Sequence, residues 1–352
     1  MIRIRVAILD ADETYSFRLT NAFNTYYQDK LEVYSFSEKE IALSFLTSNK
    51  IDVFLVDENI DIDILEIPSR CTFAYLTDMN SVDSVNGKKA VCKFQKVDLI
   101  YKEILSLFSE VSDYSITSRG TGEGKNIVSF ISFAGGTGAS TLAAAYAIRL
   151  AKQGKKPIYL NLELFGGADE FFEGEGNMGM SDIIYSLKSK KNNLGLKIES
   201  AIKKSSNGVY FIDTANIVLD VLELKKEDIL TLVEEINAMD DYDELIVDYN
   251  FGFSDIDLEL MRKSDAVVAV TDGSSIANSK TYRCINALQL IEQQKDEKIV
   301  AKIKLFYNGF SSSNGKKLTD INVDTVGGAP LYHGSAKQIV DSISTLDELD
   351  KI

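Results

Sequence analysis

Two groups of residues in this 352-residue chain have the types and spacing to do chemistry. The first is Ala134-Gly135-Gly136-Thr137-Gly138-Ala139-Ser140-Thr141, set between the apolar run NIVSFISFA and an alanine-rich stretch. Glycine admits the backbone that turns successive N–H groups toward one point. A helix starting where such a loop ends adds its own unpaired N–H groups and the positive end of its dipole. That is chemistry for an anion, phosphate above all. A glycine turn after a strand is common; strand, loop, Ser-Thr pair and helix in this order make the signal specific. The second group is read at strand ends: Asp10 and Asp12 after the first run, Asp57 after the third, Thr77 after the fourth and Lys96 after the fifth. In parallel α/β sheets ligands are handled outside the carboxyl ends of the strands, where such residues would meet.

The elements that must position them alternate throughout. IRVAILD, LEVYSF, IDVFLVD, TFAYLTD and AVCKF read as strands, with helical spacing over 15–27, 38–49 and 99–111. SDYSITSRGTGEGKN, residues 112–126, has too few apolar residues to bury a face and reads as a linker. The alternation then restarts with NIVSFISFA and a helix over 140–153, with Gly154 at its C-terminal cap. PIYLNLE, GVYFID, DELIVDY, DAVVAVT and IKLFYNG are the later strands, with helices over 183–188, 226–239 and 279–294. Residues 166–179, rich in Gly, Glu and Phe, read as a mobile loop. The pattern predicts two three-layer α/β/α domains with mainly parallel sheets: residues 1–111, a linker over 112–126, and residues 127–352.

Composition excludes several classes of function. A formal charge of −15 argues against a nucleic-acid backbone or an anionic bilayer as main partner. No apolar run approaches the roughly 20 residues of a spanning helix, and the start resembles a strand rather than a signal peptide, so a cytoplasmic protein is expected. Three scattered cysteines and one histidine, His333, speak against a disulfide framework or a zinc site.

The strand-end set over residues 1–111 resembles the receiver domain of response regulators. The resemblance implies Asp57 as phosphoacceptor, Asp10 among the acids that hold Mg²⁺, Thr77 as the switch hydroxyl and Lys96 as the phosphate-reading lysine. The chain departs from the family twice: Asp10-Ala11 replaces an adjacent acid pair, and Val97 follows Lys96 where proline is usual. Mg²⁺ requires several oxygen ligands, and Asp12 is the partial substitute for the missing one. A degenerate receiver used as a docking surface is the expectation, with a phosphorylation-regulated response regulator as the alternative.

The glycine segment resembles the deviant Walker A loop of MinD/ParA-type ATPases, which carries two lysines where this chain has Ala134 and Ala139. Each lost charge-assisted contact is worth on the order of 1.5–3 kcal/mol, so hydrolysis is expected to be slow or absent. The resemblance implies that ATP or ADP binds through Gly135, Gly136, Thr137, Gly138, Ala139, Ser140 and Thr141, with Ser140 and Asp248 as the Mg²⁺ residues. Asp248 and Gly252 match the Walker B and switch II segment. Asn161 and Glu163 stand where switch I has two aspartates, leaving Glu163 to orient a water, while Asn161 cannot act as an anionic base. Asn308 is placed to meet the adenine edge, with Gly328 and Pro330 packing near the base. The acidic C-terminal segment lacks the basic amphipathic helix by which MinD relatives bind lipid.

A receiver-like domain followed by a lysine-stripped MinD/ParA-like domain resembles the TadZ/CpaE family of Tad (Flp) pilus-assembly proteins. That resemblance implies a homodimer acting as a localisation hub for the pilus motor and platform proteins, recruited to a cell pole or to the pilus machinery. An active MinD/ParA-type positioning ATPase is the alternative.

Overall fold

The computed structural model describes residues 3–111, 124–190, 193–295, 298–313 and 315–352. Most of the predicted linker, residues 112–123, lies outside the described residues, and its last residue, Asn126, is the first of a strand. The chain forms two compact units, Met1–Ser118 with Tyr185–Ala201, and Arg119–Ile184 with Ile202–Ile352.

The first unit contains β1 (Ile4–Leu9), α1 (Glu13–Tyr26), β2 (Leu31–Phe36), α2 (Lys39–Ser48), β3 (Val53–Asp57), β4 (Thr72–Thr77), β5 (Ser84–Val85), β6 (Lys88–Cys92) and α3 (Val97–Val111). Its strand order is β2-β1-β3-β4-β6-β5, parallel except for the β5–β6 pair. Helices cover both faces, so each central strand must be apolar on both sides. Ile4, Val6 and Ile8 of β1 pack with Leu19, Phe23, Ile100 and Ile104 on one face. Ala7 and Leu9 pack with Ala42, Leu46 and Phe54 on the other.

The second unit's elements are β7 (Asn126–Ile131), α4 (Ala139–Lys152), β8 (Pro157–Asn161), α5 (Ala168–Phe171) and α6 (Met180–Lys188), whose C-terminal half is grouped with the first unit. After α7 (Leu194–Ala201) come β9 (Ile202–Lys204), β10 (Tyr210–Ile212), α8 (Val218–Leu222), α9 (Lys226–Asn237), β11 (Glu244–Asp248) and α10 (Asp255–Lys263). β12 (Ala266–Thr271), α11 (Ser275–Lys295), β13 (Ile303–Asn308), β14 (Asp324–Ala329) and α12 (Ala336–Ile343) complete it. The eight strands run β14-β13-β12-β7-β11-β8-β10-β9, with only the β9–β10 pair antiparallel. Ala143, Ala144, Ala145 and Ala147 bring α4 close against this sheet, because methyl side chains keep the backbone near the strands. The C-terminal α12 turns Val340 and Ile343 into the same core, and Arg149 pairs with Asp347 and Asp350 beyond it. Among the described residues no helix is long and apolar enough to cross a membrane.

Two sequence expectations change. Residues 185–201, placed in the second domain by the 127–352 boundary, cluster with the first unit because α7 packs on α3. Leu196 joins the α1–α3 core, Lys197 Nζ donates to Ser106 Oγ at 2.9 Å, and Glu199 accepts from Lys30 Nζ at 2.6 Å and Tyr101 Oη at 2.9 Å. The predicted mobile loop over 166–179 contains α5, and Phe172 behind it is buried against Tyr159 and Phe211 at ring-centroid distances of 5.2 and 5.4 Å. Aromatic packing of this kind fastens a segment whose glycines alone suggest freedom.

Candidate functional site

Sheet register brings the first site together. β11 lies between β7 and β8, pairing Asp248 with Phe130 on one side and Asn161 on the other. The carboxyl ends of these strands therefore deliver the glycine loop, Asp248 and the segment following Asn161 to one place. Gly135, Gly136 and Gly138 have φ of 69°, 70° and 85°, values that strain any residue with a Cβ. Ser132 Oγ pins the start of the loop by accepting from Ala134 N and Gly135 N, both at 3.1 Å, and by donating to Thr137 Oγ1 at 2.8 Å, since the Thr137 proton goes to Val270 O. Asn308 Nδ2 fastens the far side by donating to Thr137 O at 2.9 Å. α4 then begins at Ala139, and its first-turn N–H groups have no intrahelical acceptor. A cavity of about 520 Å³ opens here, lined by the loop with Glu163, Tyr249, Asn250 and Phe251.

Across the loop stands a network of polar side chains. Asp248 is fully buried; its Oδ2 accepts from Tyr159 Oη at 2.7 Å and from Asn161 Nδ2 at 3.0 Å. Its Oδ1 is buried without a hydrogen-bond partner. Burial, then the charge of Glu163, pushes the Asp248 carboxyl up to about 7, against the opposing hydrogen bonds from Tyr159 and Asn161. Ser140 Oγ donates to Glu163 Oε2 at 3.2 Å, and Asn161 Oδ1 accepts from Glu163 N at 3.0 Å. Asn161, weighed in the sequence only as a lost base, thus holds both Asp248 and the backbone of Glu163. Tyr159 and Ser132 had no sequence signal: each lies inside an apolar strand run or just beyond it. Gly252 N donates to Asp257 Oδ2 at 2.9 Å, and Pro330 directly follows β14.

A buried carboxylate oxygen left without a donor, near a serine hydroxyl at the end of an anion cradle, fits a magnesium–phosphate group. Among the described residues no cluster of three or more His, Cys, Asp or Glu side chains could hold a metal alone. That suits Mg²⁺, which keeps several waters and shares its remaining sites with phosphate. Gly138→Val tests the cradle. A Cβ there would lie 2.3 Å from Asn308 Nδ2, at a φ of 85°. The substitution therefore breaks the Asn308 tether and strains the loop, and a loss of nucleotide affinity of 10-fold or more is expected by titration calorimetry.

The strand-end group of the first unit converges with one change. Lys93, not Lys96, occupies the centre. β6 ends at Cys92, paired with Thr77, so the next residue enters the acid cluster, whereas Lys96 is exposed and its carbonyl accepts from Leu99 N and Ile100 N. Buried Lys93 lies 2.7 Å from Asp10 Oδ2 and hydrogen-bonds the Asp57 carboxylate. Burial opposes the charge on Asp57, but hydrogen bonds from Lys93 and Asn59 N outweigh it and hold the carboxyl below its usual range. Asp12 Oδ1 caps α1 by accepting from Tyr15 N at 3.0 Å. Thr77 is buried and donates to Glu58 Oε1 at 2.9 Å.

Known proteins resemble this chain in one domain and in fold. Residues 2–109 match the model of the TadZ-like receiver domain. An uncharacterized ATP-binding protein of Methanocaldococcus jannaschii is 30% identical over 135 residues, 36% of this chain and 46% of the relative, so the match spans about half of that protein's length. A ParA family ATPase of Chlorobium tepidum superposes with a TM-score of 0.50 at 18% identity, covering 65% of this chain and 95% of that one. The first unit is thus a TadZ-like receiver domain, and the second shares the fold of a ParA family ATPase.

Proposed function

From a TadZ-like receiver joined to a ParA-like nucleotide fold, we propose that this chain is an ATP- and Mg²⁺-binding assembly platform for Tad (Flp) pilus biogenesis. It works as a nucleotide-stabilised homodimer with slow or absent hydrolysis. The observation that carries the reading is a glycine cradle that lines one cavity with Ser140 and Glu163, with the Asp248 carboxylate buried nearby and one of its oxygens unsatisfied. The N–H groups from Gly136 to Thr141 hold the phosphates. Ser140 Oγ and, through a water, Asp248 hold Mg²⁺, which neutralises phosphate charge when bound. Asn308 and Pro330, at the ends of β13 and β14, face the base, with Asn308 also tethering the loop.

Two features support weak hydrolysis. The loop contains no lysine, and Glu163 is engaged by the Ser140 hydroxyl while Asn161 serves Asp248. Such a site retains the ligand without arming a water, and a ligand bound preferentially by the dimer stabilises it by mass action. The receiver unit, with Lys93 seated on Asp10 and Asp57, serves as a docking surface for motor and platform proteins at the pilus machinery. The acidic charge supports neither nucleic acid nor direct membrane insertion as part of that role.

Calorimetry with ATP, with and without Mg²⁺, alongside light scattering on the same samples tests this reading. Mg²⁺-dependent binding that converts monomer to dimer without phosphate release is expected. Phosphate release well above that of Ser140→Ala would make the chain an active positioning ATPase. No binding at millimolar ATP would overturn the nucleotide role altogether.

A further inference from the structure

A nucleoside triphosphate carries about four negative charges, and Glu163 lines the same cavity as the loop, with Asp248 buried nearby. Mg²⁺ and backbone N–H groups must then offset a strongly anionic ligand without a lysine in the loop, so a side-chain cation close to the loop has a large effect. Lys280, on α11, reaches the loop: its Nζ donates to Ala134 O at 3.4 Å. The side chain is exposed and this contact to a neutral carbonyl is long, so the ammonium can exchange it for a charged oxygen.

The base of that side chain is fixed relative to the loop. Ala277 and Thr281 flank it on the buried face of α11, and Asn278 Nδ2 donates to Gly273 O at 3.0 Å and Lys316 O at 2.7 Å. Thr137 Oγ1, within the loop, donates to Val270 O at 2.8 Å near the end of β12, the strand that leads into α11. Loop and helix therefore move as one piece, while four methylenes give the ammonium its reach.

We propose that Lys280 is the cation of this phosphate site, engaging the outermost phosphate of a nucleoside triphosphate and so selecting triphosphate over diphosphate. The inference rests on the nucleotide-binding reading above and adds the residue that sets its specificity. Binding of ATP and of ADP, each with Mg²⁺, is measured calorimetrically for the wild-type chain, Lys280→Ala and Lys280→Arg. Lys280→Ala is expected to weaken ATP by about 10-fold or more and ADP by less than about 3-fold, as removal of one charge-assisted contact predicts. Lys280→Arg should keep most of the preference for ATP. An unchanged melting temperature is expected for both variants, since the side chain is exposed. Equal ATP affinity in wild type and Lys280→Ala, or equal losses for ATP and ADP, would overturn the assignment to Lys280 and leave nucleotide binding standing. A wild-type chain that binds neither nucleotide would remove both.

Discussion

Lys93→Ala is expected to destabilise the receiver unit by about 3–5 kcal/mol at neutral pH, because it leaves buried carboxylates without their shared cation. Lys93, Asp10 and Asp57 are each below 10% exposed, so water cannot replace the ammonium without opening the strand ends. The sign of the pH dependence follows from Asp57, whose carboxyl is held down in the folded protein. Its contribution is present above the unfolded carboxylate value and is lost as pH falls through the lower folded one. Without Lys93 that contribution disappears, and protonation of the bared acids offers partial relief. The deficit should therefore be largest at pH 7–8 and smaller near pH 5. Two units need not unfold together, so hydrogen exchange resolved to β1 and β3 is the suitable measurement rather than a single melting curve. Equal protection of those strands in variant and wild type at pH 8 would refute the bridge.

Asp248→Asn should separate stability from function in the second unit. The Asp248 carboxyl, pushed up to about 7 by burial and by Glu163, takes up a proton in the folded state that the unfolded chain releases near pH 4. Stability from this group is thus fully present below about pH 4 and is lost as pH rises through 7. An asparagine amide carries no charge to bury, and its oxygen can accept from Tyr159 and Asn161 as the carboxylate does. The ligand-free variant should gain up to about 4 kcal/mol at pH 8, the equivalent of roughly three pKa units, and only about 1.4 kcal/mol at pH 5, one unit above the unfolded value. Its Mg²⁺-dependent gain in ATP affinity should vanish. Calorimetric melting of ligand-free protein at the two pH values decides the matter; a variant no more stable than wild type at pH 8 would show that Asp248 is not a strained anion.

The strand runs and the glycine loop were legible because they are local. A parallel strand covered on both faces is a short continuous apolar run, and a phosphate cradle is written in adjacent residues. What failed to show was decided by distant partners. AVCKF gives no sign of where its strand ends; pairing of Thr77 with Cys92 sets that point and makes Lys93, rather than Lys96, the residue that enters the acid cluster. LGLKIESA buries Lys197 and Ser200 as well as its leucines, which only α3 explains. Asn161 was visible at its strand end, but its value lies in an amide hydrogen bond to Asp248, and side-chain direction is not readable from spacing.

The position of α7 has a consequence for modularity. The chain leaves the receiver unit after α3, enters the second unit, returns to contribute Tyr185–Ala201, and leaves again. The receiver is therefore not a bead on a string that recombination or a cloning boundary at residue 111 could exchange. A transplanted receiver would arrive without the helix that covers Leu107 and Phe108's side of its core and without the acid, Glu199, that pairs with Lys30. Inheritance of the two units as one gene product is thereby built into the thread of the backbone, and nicking the chain between α3 and β7 would leave the fragments still sharing a folded domain.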